Sequence, residues 1–173
     1  MMRVLVTAAT KYGATTEIAA AIAGVLGDHG LEATVFPPEQ VEGVDGYDAV
    51  VVGSAVYAGH WLKPARELVD RFGGELAERP VWLFSSGPVG DPPKPEEDPV
   101  DVADLLATTR AREHCVFAGK LVRKQLSFPE RAIVSALRVP EGDFRDWTEI
   151  HRWAAGIADA LGAGSSPSAE QER

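Results

Sequence analysis

A single cysteine, Cys115, rules out any internal disulfide in this chain. Set in the apolar run CVFAG, it reads as a small buried hydrophobe and suits a reducing compartment. No apolar run approaches the roughly 20 residues that cross a bilayer. The N-terminus enters a β-branched run at once and has no signal-peptide pattern. A cytoplasmic protein is the resulting expectation. Positive charge is scarce: 17 Lys and Arg against 26 Asp and Glu leave a net −9. Such a surface repels nucleic-acid phosphate and favours basic partners or cationic small molecules. Neither the dinucleotide pattern GxGxxG nor the nucleotide pattern GxxxxGK[ST] occurs between the first strand and first helix.

What is present is an alternation of strand and helix signals. The 173 residues fit one domain large enough to hold a cofactor. Residues 3–7 (RVLVT), 31–37 (LEATVFP), 47–54 (YDAVVVGS), 79–87 (RPVWLFSSG) and 114–119 (HCVFAG) are apolar runs of strand length. Between them, Ile18, Ala19, Ile22, Val25 and Leu26 recur at helical spacing, as do Ala65, Leu68, Val69 and Phe72 behind Pro64. Residues 100–109 and 147–161 complete the helices. This pattern predicts an α/β fold, a doubly wound three-layer sandwich around a five-stranded parallel sheet in the order 2-1-3-4-5. One domain is expected over residues 1–161, with an insertion at 120–142 after the fifth strand and a disordered tail at 162–173.

In such sheets ligands bind beyond the carboxyl ends of the strands, beside the switch in strand order. That directs attention to the loops at 8–15, 54–61 and 85–91. The first carries Thr10, Lys11, Tyr12, Gly13, Ala14 and Thr15, offering hydroxyls and backbone N–H groups at the positive end of a helix. Neutral donors of this kind hold a terminal phosphate dianion. An ordinary helix cap, with Glu17 in the first turn, is the competing reading.

The stretch TAATKYGATTEIA resembles the phosphate loop of the flavodoxin family, Ser/Thr-x-Thr-Gly-x-Thr, with Thr10, Gly13 and Thr15 matching. The resemblance implies FMN as the cofactor and assigns the other two loops to the flavin ring. In the second loop these are Ser54, Ala55, Val56, Tyr57, Ala58, Gly59 and Trp61. Tyr57 and Trp61 are stacking candidates, with packing against the next helix as the alternative, and Gly59 is the candidate for a peptide that reorients with the flavin's protonation. Ser85, Ser86, Gly87, Gly90 and Asp91 in the third loop would face the pyrimidine side. No side chain is assigned a catalytic role; His60 as a proton donor stands against an exposed loop histidine.

The order GSxxYxGHW, FAGKL, insertion, then DWTEIHRWAAGIADAL is similar to the menaquinone-dependent protoporphyrinogen oxidase branch of this family. An FMN-dependent oxidoreductase linking an organic substrate of quinone or porphyrinogen type to a redox partner is thereby implied. A flavodoxin shuttling electrons without its own substrate, or a cofactor-free binding module, are the other readings. The insertion contrasts in charge with the rest. Lys120, Arg123, Lys124, Arg131 and Arg138 against Glu130 give residues 120–139 a net +4, and −13 remains elsewhere. A basic, partly apolar flap would dock peripherally on anionic membrane or on a carboxylate-bearing substrate; a solvated surface helix is the plain alternative.

Overall fold

The computed structural model describes residues 2–57, 59–87, 101–136 and 141–162. In chain order these form β1 (Arg3–Ala9), α1 (Ala14–Asp28), β2 (Glu32–Phe36), a 3-10 turn (Pro38–Gln40), β3 (Ala49–Tyr57), β4 (His60–Trp61), α2 (Lys63–Leu76) and β5 (Val81–Ser86). They continue as α3 (Val102–Thr109), β6 (Glu113–Phe117), β7 (Lys120–Leu121), a second 3-10 turn (Arg123–Gln125), α4 (Phe128–Ala136), β8 (Gly142–Asp143) and α5 (Trp147–Ala160).

The five long strands pair in parallel in the order β2-β1-β3-β5-β6. With the two-residue β4 set aside, this is the 2-1-3-4-5 order expected from the sequence. β4 pairs antiparallel with the far end of β3, Tyr57 opposite His60, so β3 runs three residues past its expected limit.

Because β1, β3 and β5 are central, both faces of each are covered, and their alternate side chains feed two cores. Val4, Val6 and Ala8 of β1 join Ile18, Ile22 and Leu26 of α1 and Ile150, Ala154 and Ile157 of α5. Leu5 and Ala9 of the same strand join Leu68, Val69 and Leu76 of α2 and Leu105 of α3 on the opposite face. Each Val, Leu or Ile among them contributes about 1.5–3 kcal/mol by leaving water, which explains why α1 and α2 form where the sequence spaces these residues. α2 runs through Gly73 and Gly74 to Leu76, four residues beyond its expected end. The fully buried Leu76 anchors that last turn, so tertiary packing overrides the local cost of glycine. On β3, Gly53 is required by close approach: a Cβ there would lie 2.2 Å from Cζ of Phe84. The ring filling that space meets Trp153 edge-on and lies tilted against Phe117.

The 120–142 insertion is not a single surface helix. It leaves and rejoins the body through the β7–β8 ladder, Lys120 opposite Asp143 and Leu121 opposite Gly142, and carries the second 3-10 turn and α4 between. Within it Leu121 and Leu126 are buried, while Lys124, Arg131 and above all Phe128, 80% exposed, face solvent. Residues 137–140 and the expected tail, from 163 onward, lie outside the described residues.

Candidate functional site

The carboxyl ends of the central strands are in register: Ala9 lies opposite Ser54, and Ser54 opposite Ser85. The chain therefore leaves β1, β3 and β5 along one edge of the sheet, where the order switches between β1 and β3. Ala58, Gly90 and Asp91, all expected to touch the cofactor, lie outside the described residues.

The first loop turns into α1 through Gly13, whose φ of 95° is left-handed, a conformation that carries a steric cost for residues with a Cβ. No side chain caps the start of α1. Thr10 instead closes the loop from behind, its Oγ1 accepting the Gly13 N–H at 2.9 Å, which leaves the hydroxyl proton to be donated outward. Thr15 is buried in the first turn. The opening N–H groups of a helix have no partner within the helix, and here they face a loop that supplies a hydroxyl. The surroundings of Gly13 are open, with no atom within 4 Å of where its Cβ would stand. This donor set fits a phosphate monoester, and it fits FMN.

Lys11 and Tyr12 do something the sequence did not indicate. Both reach Glu130 of α4, Lys11 through its ammonium and Tyr12 through its hydroxyl. Glu130 also closes a reciprocal cap at the start of α4, accepting from Ser127 N–H at 2.9 Å while Ser127 Oγ accepts from Glu130 N–H at 3.4 Å. Hydrogen bonds from Lys11 first, then Tyr12, hold its carboxyl down to about 2. The same contacts raise the Lys11 ammonium and the Tyr12 phenol above their usual values. The Lys11 ammonium also lies 5.6 Å from the ring centre of Tyr12 and 5.4 Å from that of Tyr57. Thus Glu130, the one acid among residues 120–139, latches the insertion to the loop that precedes α1.

In the second loop, Tyr57 and Trp61 have separate fates. Tyr57 is 37% exposed at the tip of the β3–β4 hairpin, beside Gly59 at φ 78°. Burial of its hydroxyl, reinforced by Tyr12 and Glu130, pushes the phenol up to about 12, so it presents a neutral ring. Trp61 is buried in the α2-side core, and the structure gives its indole the packing role. Its Nε1–H donates to Ser85 Oγ at 2.7 Å, which also lies 2.7 Å from His114 Nε2. Ser54 Oγ is likewise engaged, donating to Ala55 O and accepting from Leu62 N–H. Val56 is buried and Ala55 half-buried. His60 is half exposed; its Nδ1 is 3.2 Å from Asp101 Oδ1, while Asp101 Oδ2 accepts the Trp61 N–H at 3.0 Å. Ser86 is buried, and Gly87 donates to Phe117 O from a φ of 83°.

Glu130, Asp101 and His114 were thus missed at the sequence level. For Glu130 a signal existed, the Ser-x-x-Glu capping spacing at 127–130. For the others, residues far apart in sequence meet only after folding.

Comparison with known proteins agrees with this geometry. The chain is 24% identical to protoporphyrinogen IX dehydrogenase [quinone] of Escherichia coli (strain K12) over 172 residues, covering 91% of this chain and 95% of that one. Its fold is similar to that of a flavodoxin from the domain Archaea, with a TM-score of 0.61 at 16% identity, covering 93% of this chain and 99% of the other. It is similar also to rubredoxin oxygen:oxidoreductase of Desulfovibrio gigas, with a TM-score of 0.61 at 14% identity, covering 94% of this chain and 36% of the larger one. Residues 5–148 match the model of the flavodoxin domain family. With that match across most of its length, the chain belongs to the flavodoxin domain family, and membership implies FMN as its cofactor.

Proposed function

We propose that this protein is an FMN-dependent oxidoreductase of the cytoplasm, passing electrons between an organic substrate and a quinone-type acceptor. The observation that carries this reading is the landing of the insertion on the phosphate loop through Glu130. A structured element there would border the cofactor site and wall one side of it, which supports a substrate-binding enzyme over a bare electron carrier. The resemblance in sequence to a dehydrogenase whose name includes protoporphyrinogen IX and quinone supports the same class.

Bound FMN would supply the electron-accepting ring; the chemistry belongs to the cofactor and its tuning to the protein. The residues of this chain hold and orient it. Thr10, Thr15 and the opening N–H groups of α1 would bind the phosphate without using a cation, since Lys11 is already paired with Glu130. Tyr57 would offer its neutral ring to one face of the flavin. The Trp61–Ser85–His114 hydrogen-bond chain lies beneath the site and ties the second loop to the third and to β6. Asp101 ties β4 to the start of α3.

The experiment is a spectrum of the purified protein with and without added FMN, followed by mass spectrometry of any released ligand. FMN is the expected ligand; FAD or NAD as the native ligand, or failure to take up FMN, overturns the cofactor assignment. Reduction of a quinone by a porphyrinogen then separates a substrate enzyme from an electron shuttle, a reading that the strongly acidic body of the molecule favours. An FMN-loaded protein that exchanges electrons only with protein partners establishes the shuttle instead.

A further inference from the structure

One buried cation beside the phosphate loop has no part in the binding just described. Arg145, two residues beyond the end of β8, has a side chain only 4% exposed. Its Nε and Nη2 donate to the two carboxylate oxygens of Asp143 at 2.8 and 2.6 Å. Its Nη1 donates to Glu17 Oε1 at 2.6 Å and to the carbonyl of Ala14 at 3.2 Å. The guanidinium also lies 4.7 Å from the ring centre of Trp147.

This placement is unusual on general grounds. A cation is disfavoured at the N-terminal end of a helix, where the backbone already presents positive charge, yet Arg145 bonds the first residue of α1. Two carboxylates account for it. Glu17 stands in the first turn of α1 and Asp143 beside it, both partly exposed. A phosphate dianion bound at the start of α1 would face both within about a Debye length, roughly 10 Å at 0.1 M salt. With Arg145 between them, the local charge of the three groups is −1; without it, −2.

We propose that Arg145 is a positioning residue for the cofactor phosphate. It screens Glu17 and Asp143 from the dianion, and through the Ala14 carbonyl it fixes the first turn whose N–H groups bind that phosphate. This rests on the FMN reading above and extends it to a residue 131 positions away in sequence. Such a residue discriminates FMN from riboflavin, which has the same ring and ribityl chain but no phosphate. A residue that merely holds the fold together would affect both ligands alike.

The test compares dissociation constants for FMN and riboflavin, from quenching of flavin fluorescence, in the full chain at low and high salt. Arg145→Met is expected to weaken FMN about tenfold at low salt and less at high salt, with riboflavin changed by no more than about twofold. Adding Glu17→Gln and Asp143→Asn to it should return FMN affinity towards the original. Glu17→Gln alone alters an exposed side chain and leaves the fold intact, so it serves if Arg145→Met does not fold. It should tighten FMN severalfold at low salt and leave riboflavin unchanged. Equal losses for both ligands in Arg145→Met, or an FMN-to-riboflavin ratio unmoved by Glu17→Gln, overturn the proposal. If the unaltered protein binds both equally, the phosphate reading itself fails; if it binds neither, FMN is not its cofactor.

Discussion

Replacing Glu130 by alanine should loosen the insertion from the body. The carboxylate accepts from Lys11, Tyr12 and the Ser127 N–H. The cap at the start of α4 contributes about 1 kcal/mol. Lys11, with its side chain 46% exposed, holds its ion pair to the surface range of about 0.2–1 kcal/mol. The expected loss is thus about 1–2 kcal/mol, or about 2–8 °C in Tm for a chain of this size. It also depends on pH. The carboxyl ionises at about 2 when folded against 4.5 ordinarily, so its contribution is complete above pH 4.5 and drains away as pH falls through 2. Urea unfolding of both proteins at pH 7 and pH 3 should show the gap narrowing at the lower pH. Glu130→Gln, whose single amide oxygen can still accept from Tyr12 and the Ser127 N–H but loses the charge and the bond from Lys11, should recover part of the stability at pH 7. An Ala variant as stable as the parent at pH 7, or a gap equally wide at pH 3, would refute the latch.

Thr10→Val with Thr15→Val removes two hydroxyls from the expected phosphate site, at roughly 1.5–3 kcal/mol for each bond to a charged group. FMN affinity should fall at least about tenfold with circular dichroism unchanged; an unaltered dissociation constant would place the phosphate elsewhere. Gly53→Ala puts a methyl group into the Phe84 ring and should cost about 1–3 kcal/mol by overpacking, measured by urea midpoint; a neutral substitution would mean that the ring shifts freely. Reversing Lys124, Arg123 and Arg131 to glutamate tests whether the insertion docks on anionic membrane. Vesicle binding at low salt, at about 1 kcal/mol for each charge, should be lost while FMN binding persists, and absence of vesicle binding before mutation removes the membrane from the account.

The sheet was legible because its central strands are buried on both faces, and VLV and AVVVG can satisfy that condition in few other ways. Strand order followed from chain order and handedness, and with it the edge at which ligand loops gather. The turn into α1 was legible from Gly13 at the start of an amphipathic helix, and its assignment to a phosphate followed from the family resemblance at Thr10, Gly13 and Thr15. Side-chain destinations were not. Trp61 in a loop reads equally as a stacking surface or a core residue, and only the hydrogen bond to Ser85 and the packing against α2 decide between them. Glu130 lies 119 positions from Lys11, and no local periodicity links residues so far apart. The +4 charge of residues 120–139 hid the function of the single acid among them, because a sum of charges carries no information about which member is buried.

The β7–β8 ladder has a topological consequence. Lys120 and Asp143 are opposed across a two-strand step, so everything between them enters and leaves through one doorway about 5 Å wide. Segments hung this way change length cheaply, since doubling a flexible loop costs only about 0.6 kcal/mol in closure entropy. The interval is therefore a slot in which cargo of different lengths can be exchanged while the sheet is left undisturbed. Replacing residues 122–141 by a tight turn would delete the contact at Lys11 and Tyr12 yet spare the guanidinium at 145, which lies outside the slot. The cradle and its cover are thus separable genetic modules.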